Sequence, residues 1–166
     1  LGGLLQHVVE VGTIARAAAA TMGGDVDLVT AGALLHDVGK VEAYAVTAAG
    51  FEHTASGRLL GHVALGALAL DRRMRALPAG TLSDAQQLEL LHFIFSHHGQ
   101  LEFGAAVQPM TLEAELLHWA DQSSAKGADF NDAMVDPEQF PGDEAFSVRK
   151  GWRLGRVVWR RSERWT

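Results

Sequence analysis

Apolar residues recur at steps of three and four positions over most of the chain, which is the spacing of amphipathic helices. This pattern predicts a first helix near 1–21, ended by Gly23, and a second that closes at Gly39 in the left-handed conformation that glycine favours. Three further helices are predicted, at about 59–77, 83–98 and 111–125. Ser83 and Thr111 are suitable N-terminal caps for the last two of them.

Two segments break the helical period. Residues 41–57 favour a small hairpin, because Gly50 separates two short runs that suit strands. Residues 146–159 mix aromatic residues, valines and arginines, which predicts one or two edge strands. The expected fold is therefore all-α, a bundle of five or more helices with a hairpin excursion and a short β-like C-terminal extension. We expect a domain at 1–145, with a basic extension at 146–166 packed on it.

The composition excludes several classes of protein. With no cysteine among 166 residues, the chain has no disulfides, thiolate metal sites or cysteine nucleophiles. This absence fits a reducing compartment, and we expect a cytoplasmic location. The longest apolar run, 63–70, is too short to cross a membrane. No basic segment precedes an apolar one at the start, so we expect no signal peptide, and the opening at Leu1 suggests a piece of a longer protein.

The net charge of −6 is unevenly distributed. Residues 149–166 contain one acid, Glu163, and seven basic groups: Arg149, Lys150, Arg153, Arg156, Arg160, Arg161 and Arg164. The other seven basic residues face 19 acidic ones in 1–148, a balance of −12. A basic end is compatible with nucleic-acid contact, but a solvated pair of terminal strands explains it as well. Strand packing is likewise favoured over base stacking for three tryptophans: Trp152, Trp159 and Trp165.

Side chains suited to metal ions lie on separate predicted helices. They are His7, His36, Asp37, His62, His97, His98 and Asp121. His98 and Asp121 continue apolar rows of their helices, so both are expected to point inward, where an unpaired carboxylate is costly and a cation removes that cost. A single histidine on an apolar face is more often a hydrogen-bonded core residue, but that explanation does not extend to the whole set. We predict convergence on two divalent ions, with Asp37 as the bridge because each of its oxygens can reach a different ion.

This arrangement resembles the HD-domain metallophosphohydrolase superfamily, whose signature is H…HD…D. The matching positions are His7, His36, Asp37 and Asp121, while His62, His97 and His98 match the binuclear branch. More narrowly, several segments look like the HD domain of YhaM-type 3′–5′ exoribonucleases: 2–7, 33–40, 57–62, 96–104, 109–114 and 118–121. The chain departs from that pattern at Ala105-Ala106, where the family has Ser-Pro, and at Ser124, where it has aspartate. Neither departure removes an expected ligand.

The resemblance implies one ion on His7, His36, Asp37 and Asp121, and another on Asp37, His62, His97 and His98, with the division of the adjacent histidines left open. Two ions about 3.5–4 Å apart activate a water for attack on phosphorus. A nitrogen-rich site suits Mn, Fe, Co, Ni or Zn better than Mg, and the family favours Mn. Lys40 is expected to act beside Asp37 by meeting a phosphate oxygen, although a favourable position at a helix C-terminus explains it equally well.

Weaker expectations concern four other side chains. Arg58 and Glu102, with Lys40, are candidate substrate contacts. His118 and Glu113 are expected to support ligands by hydrogen bonding, although an acid at a helix start also explains Glu113.

The function implied is a metal-dependent phosphodiesterase, specifically the catalytic domain of a 3′–5′ exoribonuclease. Its expected partner is single-stranded RNA or an oligonucleotide. An upstream OB-fold in the parent protein and an oligomeric state are both compatible with the family. Alternatives are an HD-type nucleotide or cyclic-dinucleotide phosphohydrolase and a di-iron HD oxygenase. A module that binds metal without turnover is less favoured, because the ligand set is intact.

Overall fold

The structure is a computed structural model that describes residues 2–48, 50–151 and 153–163. Trp152, Arg164 and Trp165, named above in the basic segment, lie outside the described residues. The chain divides into two compact units, Leu1–Gln122 and Ser123–Thr166. Its elements, in chain order, are α1 (Gly3–Met22), α2 (Val26–Leu35), α3 (Lys40–Ala43), β1 (Tyr44–Thr47), β2 (Gly50–His53), α4 (Ala55–Arg75), α5 (Asp84–Ser96), a 3₁₀ turn (Leu101–Phe103) and α6 (Leu112–Val135).

The all-α prediction with a small hairpin is confirmed. Strands β1 and β2 pair antiparallel, with Tyr44 opposite His53 and their rings 4.4 Å apart. Local caps also lie where they were predicted. Gly23 ends α1 at φ 79°, Ser83 forms a capping box at α5, and the Thr111 hydroxyl accepts from the backbone N–H of Ala114 at 3.1 Å.

The left-handed end predicted at Gly39 is wrong. Helix α2 already ends at Leu35, and Gly39 has a right-handed backbone with φ −65° and ψ −18°. A Cβ at this position would lie 1.9 Å from the His62 carbonyl oxygen and 2.5 Å from the Gly66 nitrogen. Glycine is therefore required because the turn between α2 and α3 touches the backbone of α4.

Helix α4 starts four residues before its predicted position, and it is bent. The Thr54 hydroxyl caps it by accepting from the Gly57 N–H at 2.9 Å. Gly61 then interrupts the helical backbone with φ 73° and ψ 161°, values that a residue with a Cβ rarely adopts. The helix therefore changes direction immediately before His62.

Helix α6 continues to Val135, ten residues beyond its predicted end at 125. Polar residues and Gly127 obscure the apolar spacing in this stretch, but Ala133 is buried in the second unit with Phe140 and Val158. Packing against residues that follow the helix thus stabilises the extra turns of α6.

The predicted C-terminal strands reduce, within the described residues, to one isolated antiparallel bridge between Phe146 and Trp159. The ladder does not extend, because the Val148 N–H donates to the Gln139 carbonyl instead of continuing along the opposite segment. A β-like extension is present, but it has no strand of its own.

Two apolar clusters form the core of the first unit. Phe93 and Leu117 anchor one between α1, α2, α5 and α6, and Ile94 anchors another between α4 and α5. Packing of this kind fixes the helices and turns from which the polar side chains of the predicted site project. Across the described part of the chain, no helix is both long enough and apolar enough to span a membrane.

Candidate metal centre

The predicted ligand side chains all lie in the first unit, on different helices and on the turns that follow them. His7 is on α1, and His36 and Asp37 follow the end of α2. His62 follows the bend in α4, His97 and His98 follow α5, and Asp121 lies on α6. These positions are far apart in sequence, but the fold brings them together.

The first group consists of His7, His36 and Asp121. One potential ligand atom from each lies within 4.8 Å of the others. His7 Nε2 is 3.0 Å from Asp121 Oδ1, and His36 Nε2 is 3.9 Å from the same oxygen. His36 is fully buried, whereas about a fifth of the His7 and Asp121 side chains is exposed. The first group therefore reaches from the interior to the surface.

The second group consists of His62, His97 and His98, whose ligand atoms meet the same 4.8 Å limit. The ring centroids of His97 and His98 are 4.3 Å apart, and that of His62 is 5.7 Å from His97 and 5.1 Å from His98. Both adjacent histidines thus lie with His62, a division that the sequence left open.

Asp37 lies between the two groups and turns one oxygen to each. Its Oδ2 is 3.6 Å from His7 Nε2 and 3.5 Å from His36 Nε2. Its Oδ1 is 3.6 Å from His62 Nε2 and 3.8 Å from His97 Nε2. This is the geometry that a carboxylate needs to bridge two cations.

Backbone carbonyls orient three of the imidazoles. His36 Nδ1 donates to Ala33 O at 2.8 Å, His97 Nδ1 donates to Ile94 O at 2.8 Å, and His98 Nδ1 donates to Phe103 O at 2.7 Å. A ring whose Nδ1 carries the proton has its Nε2 lone pair free to coordinate a metal. These carbonyls were not predicted, although the first two follow a simple rule, since each belongs to the residue three positions before its histidine.

Several polar atoms at the centre are buried without a hydrogen-bond partner: His36 Nε2, Asp37 Oδ1, His62 Nε2 and His97 Nε2. Burying such atoms unpaired costs several kcal/mol in total, at roughly 1–3 kcal/mol each. Cations between the imidazoles and the carboxylate would satisfy all of them at once. The donor set therefore fits a divalent metal centre.

Three histidines of the centre, His36, His62 and His97, have a pKa below the usual value for histidine, which favours the neutral ring at physiological pH. Burial lowers the pKa of His62 to about 4 and that of His97 to about 3. Burial also lowers the pKa of His36, and the negative charge of Asp37 only partly opposes it. Metal binding requires unprotonated imidazole, so these rings are ready to coordinate without first losing a proton.

The two carboxylates are ionised. Burial alone would raise the pKa of Asp37, but the adjacent His36 imidazole and the charge and hydrogen bond of Lys40 hold it below its usual value. Burial acts in the same way on Asp121, where the hydrogen bond from His7 is the largest effect that keeps the pKa low. Negative charge therefore persists at the centre, where it can attract cations.

Lys40 contacts the bridge itself. Its ammonium donates to Asp37 Oδ2 at 2.6 Å, and a third of the side chain is exposed. Lys40 therefore connects the edge of the centre to solvent. The alternative explanation of Lys40, a favourable position at a helix C-terminus, does not require this contact with Asp37.

The remaining predicted residues lie in different surroundings. Arg58 is exposed on the first part of α4, and Glu102 is exposed on the 3₁₀ turn. Glu113 accepts from the backbone N–H of Asp25 at 2.8 Å, so this contact braces the start of α2 rather than a histidine of the centre. His118 is buried, and its Nδ1 lies 2.9 Å from the His97 carbonyl oxygen.

Comparisons with known proteins show the family of the chain. A family model described as HD domain matches residues 4–126. The chain is 37% identical over 127 residues to a 3′-5′ exoribonuclease YhaM of Bacillus subtilis (strain 168), and 38% identical over 128 residues to one of Bacillus velezensis. Each match covers 76% of this chain and 39% of the relative, so the chain spans well under half of those proteins. No solved structure matches the chain significantly. The family match covers most of the chain and contains every member of both groups, and the chain therefore belongs to the HD-domain family.

Proposed function

We propose that this chain is the catalytic domain of a metal-dependent phosphodiesterase that degrades RNA or oligoribonucleotides from the 3′ end. The observation that carries the proposal is the position of Asp37, which lies between the two groups and has no hydrogen-bond partner for its Oδ1. An HD domain implies a divalent metal, and the relatives, which are 3′-5′ exoribonucleases, suggest the direction of attack and the polymer.

The chain offers ligands for two ions, one on each side of Asp37. His7, His36 and Asp121 would hold the first, and His62, His97 and His98 the second. Two divalent ions, when bound, polarise a phosphodiester and lower the pKa of a coordinated water, which is the chemistry that hydrolysis needs. Imidazole nitrogens outnumber carboxylate oxygens, so Mn, Fe, Co, Ni or Zn suits the centre better than Mg, and we propose Mn.

Lys40 is proposed to act on the substrate phosphate. Its ammonium is partly exposed and is held 2.6 Å from Asp37 Oδ2, so a phosphate at the centre would find a positive charge beside it. Arg58 and Glu102 are exposed and are proposed as weaker contacts to the nucleotide.

The proposed arrangement of the whole protein follows the relatives. They are longer than this chain, and we propose that an upstream OB-fold delivers single-stranded RNA to the domain. The division into a catalytic domain at 1–145 and an extension at 146–166, the oligomeric state and the cytoplasmic location stay predictions.

The test is digestion of single-stranded RNA labelled at its 5′ end, with the metal-free protein supplied with Mn²⁺. We expect labelled products that shorten progressively, together with unlabelled mononucleotides, and no products with EDTA. Early release of the labelled 5′ nucleotide would contradict the direction. Intact RNA in a preparation that has bound two equivalents of Mn²⁺ would contradict the substrate.

Two other substrates distinguish the alternatives in the same assay. Hydrolysis of a cyclic dinucleotide or a nucleotide but not RNA would favour the small-molecule phosphohydrolase. Iron retained after purification, with oxygen uptake and no phosphodiester cleavage, would favour the di-iron oxygenase, since histidine-rich centres also suit iron.

A further inference from the structure

We infer that His118 is a positioning residue that holds the turn after α5, so that His97 and His98 meet His62. The inference rests on the proposed two-metal centre. It assigns the formation of the second group to a side chain that is not a member of either group.

The first observation is the contact between His118 and the main chain of His97. The side chain is buried, with 5% of its surface exposed, and its Nδ1 lies 2.9 Å from the His97 carbonyl oxygen. A carbonyl only accepts, so His118 Nδ1 carries the proton and donates it. The bond fixes the backbone of His97, whereas the ring of His97 is fixed separately by Ile94 O.

The second observation is the fit between His118 and Gly99. Gly99 has φ 76°, and a Cβ there would lie 2.1 Å from His118 Cε1 and 2.3 Å from His118 Nε2. The imidazole therefore occupies the space directly against the Gly99 backbone. Since Gly99 follows His98 and its N–H donates to the Ser96 carbonyl at 2.7 Å, the ring supports the whole turn that presents the two histidines.

The third observation is the position of His118 on α6, three residues before Asp121. Residues at this spacing lie on one face of a helix. Asp121 Oδ1 reaches the first group directly, 3.0 Å from His7 Nε2. The same helix face thus contributes a side chain to the first group and supports the second group through the backbone of His97.

The consequence is a selective effect on the two ions. Removal of His118 frees the turn that carries two of the three nitrogen ligands of the second group, but it leaves His7, His36 and Asp121 in place. Loss of a partner that orients metal ligands typically weakens metal affinity by about 10–100-fold. We expect a loss of that size for the second ion, and an unchanged affinity for the first.

The experiment is a calorimetric titration of metal-free protein with Mn²⁺, together with electron paramagnetic resonance at two equivalents. Wild type is expected to bind two ions and to show the signal of a coupled pair. His118→Ala is expected to bind the first ion with unchanged affinity and the second about 10–100-fold more weakly, so that the six-line signal of isolated Mn²⁺ appears. His118→Asn is expected to restore the second ion, because the asparagine amide can donate to the same carbonyl.

His92→Ala is the matched control. His92 lies on α5 and, like His118, forms a side-chain hydrogen bond with the main chain: its Nε2 accepts from the backbone N–H of Met110 at 2.9 Å. It belongs to neither group. It should bind two ions as wild type does, with the same circular dichroism.

Two ions of wild-type affinity in His118→Ala would overturn the inference, and so would an equal loss of both ions in a folded variant. If His118→Ala does not fold, the test rests on His118→Asn. A folded Asn variant that binds the second ion weakly would also overturn the inference. Fewer than two ions in wild type would instead reject the proposed two-metal centre.

Discussion

At the scale of single residues, Asp37 is the side chain that connects the two groups of the centre. It is 2% exposed, and its two oxygens face imidazoles from four different parts of the chain. Lys40 donates to one oxygen, while the other has no hydrogen-bond partner. A buried carboxylate in this position is costly to the metal-free fold and favourable once cations are present.

Substitution of Asp37 by Asn tests the bridge. The amide has the same shape but no charge, so it cannot join two cations, and hydrolysis should fall by about 1,000-fold or more, or ~4 kcal/mol in the barrier. Phosphodiester hydrolysis is measured beside circular dichroism, which should retain the helical signal. Glu42→Gln, which alters an exposed carboxylate nearby on α3, is the control and should keep full activity. Undiminished turnover by Asp37→Asn would exclude the bridge.

The lowered pKa values of His62 and His97 predict how stability depends on pH in the metal-free protein. Unfolded histidine titrates near 6.5, whereas burial lowers the folded pKa to about 4 and about 3. Below pH 6.5 the unfolded state binds more protons, so the free energy of unfolding should fall as the pH decreases from 6.5 towards 4. Urea titrations across this range measure the effect. A free energy of unfolding that stays constant there would contradict the burial of neutral imidazoles.

At the scale of elements, the residues that begin, end or bend the helices are of two kinds. Gly23, Ser83 and Thr111 act through hydrogen bonds or backbone angles within a few residues of themselves, and their roles were predicted. Gly39 and Gly61 act through distant packing or a bend inside a helix, and local patterns did not reveal them. Together these two glycines bring His62 towards Asp37.

Gly39→Ala should destabilise the fold and disturb the second group. The added methyl would overlap the His62 carbonyl, and overpacking of this kind costs about 1–3 kcal/mol. Gly12→Ala in α1 is the matched control, because its methyl would only touch Ala33 at 3.8 Å and should stabilise the helix by about 0.8–1 kcal/mol. Urea unfolding of both metal-free variants measures the difference. An equal change in both would show that Gly39 is not a close-contact position.

At the scale of the whole molecule, charge is divided between the two units. Residues 1–122 contain six basic and 13 acidic side chains, a balance of −7, and residues 123–166 contain eight and seven, a balance of +1. In the second unit, Arg149 pairs with Glu138 and Arg153 lies 3.5 Å from Asp129, while Arg160 covers the ring of Phe140. Arginines of the basic segment thus have partners within their own unit, which favours a structural role over an exposed nucleic-acid surface.

Metal should stabilise the protein by mass action. Mn²⁺ at 100 times its dissociation constant would add about 2.7 kcal/mol per ion, which raises the melting temperature of a chain of this size by roughly 5–10 °C. Thermal unfolding with and without Mn²⁺ measures the shift, and EDTA should reverse it. Asp37→Asn should lose most of the increase. Equal melting temperatures with and without Mn²⁺ would contradict a centre that is formed only in the folded state.

The sequence by itself determined the helical class, the hairpin, three caps and the set of candidate ligands. These depend on periodicity, on hydrogen bonds between near neighbours and on the chemistry of imidazole and carboxylate, all of which are local. The family resemblance added the function to be tested, because chemistry alone left several metal-dependent reactions open.

Only the tertiary structure decided how the candidates are arranged. It placed both His97 and His98 with His62, gave Glu113 a partner at the start of α2, and extended α6 by contacts in the second unit. It also showed that Gly39 is a point of contact between two backbones rather than the left-handed C-terminal end of α2. Such features depend on residues that are distant in the chain and meet only when the helices pack, so no local pattern encodes them.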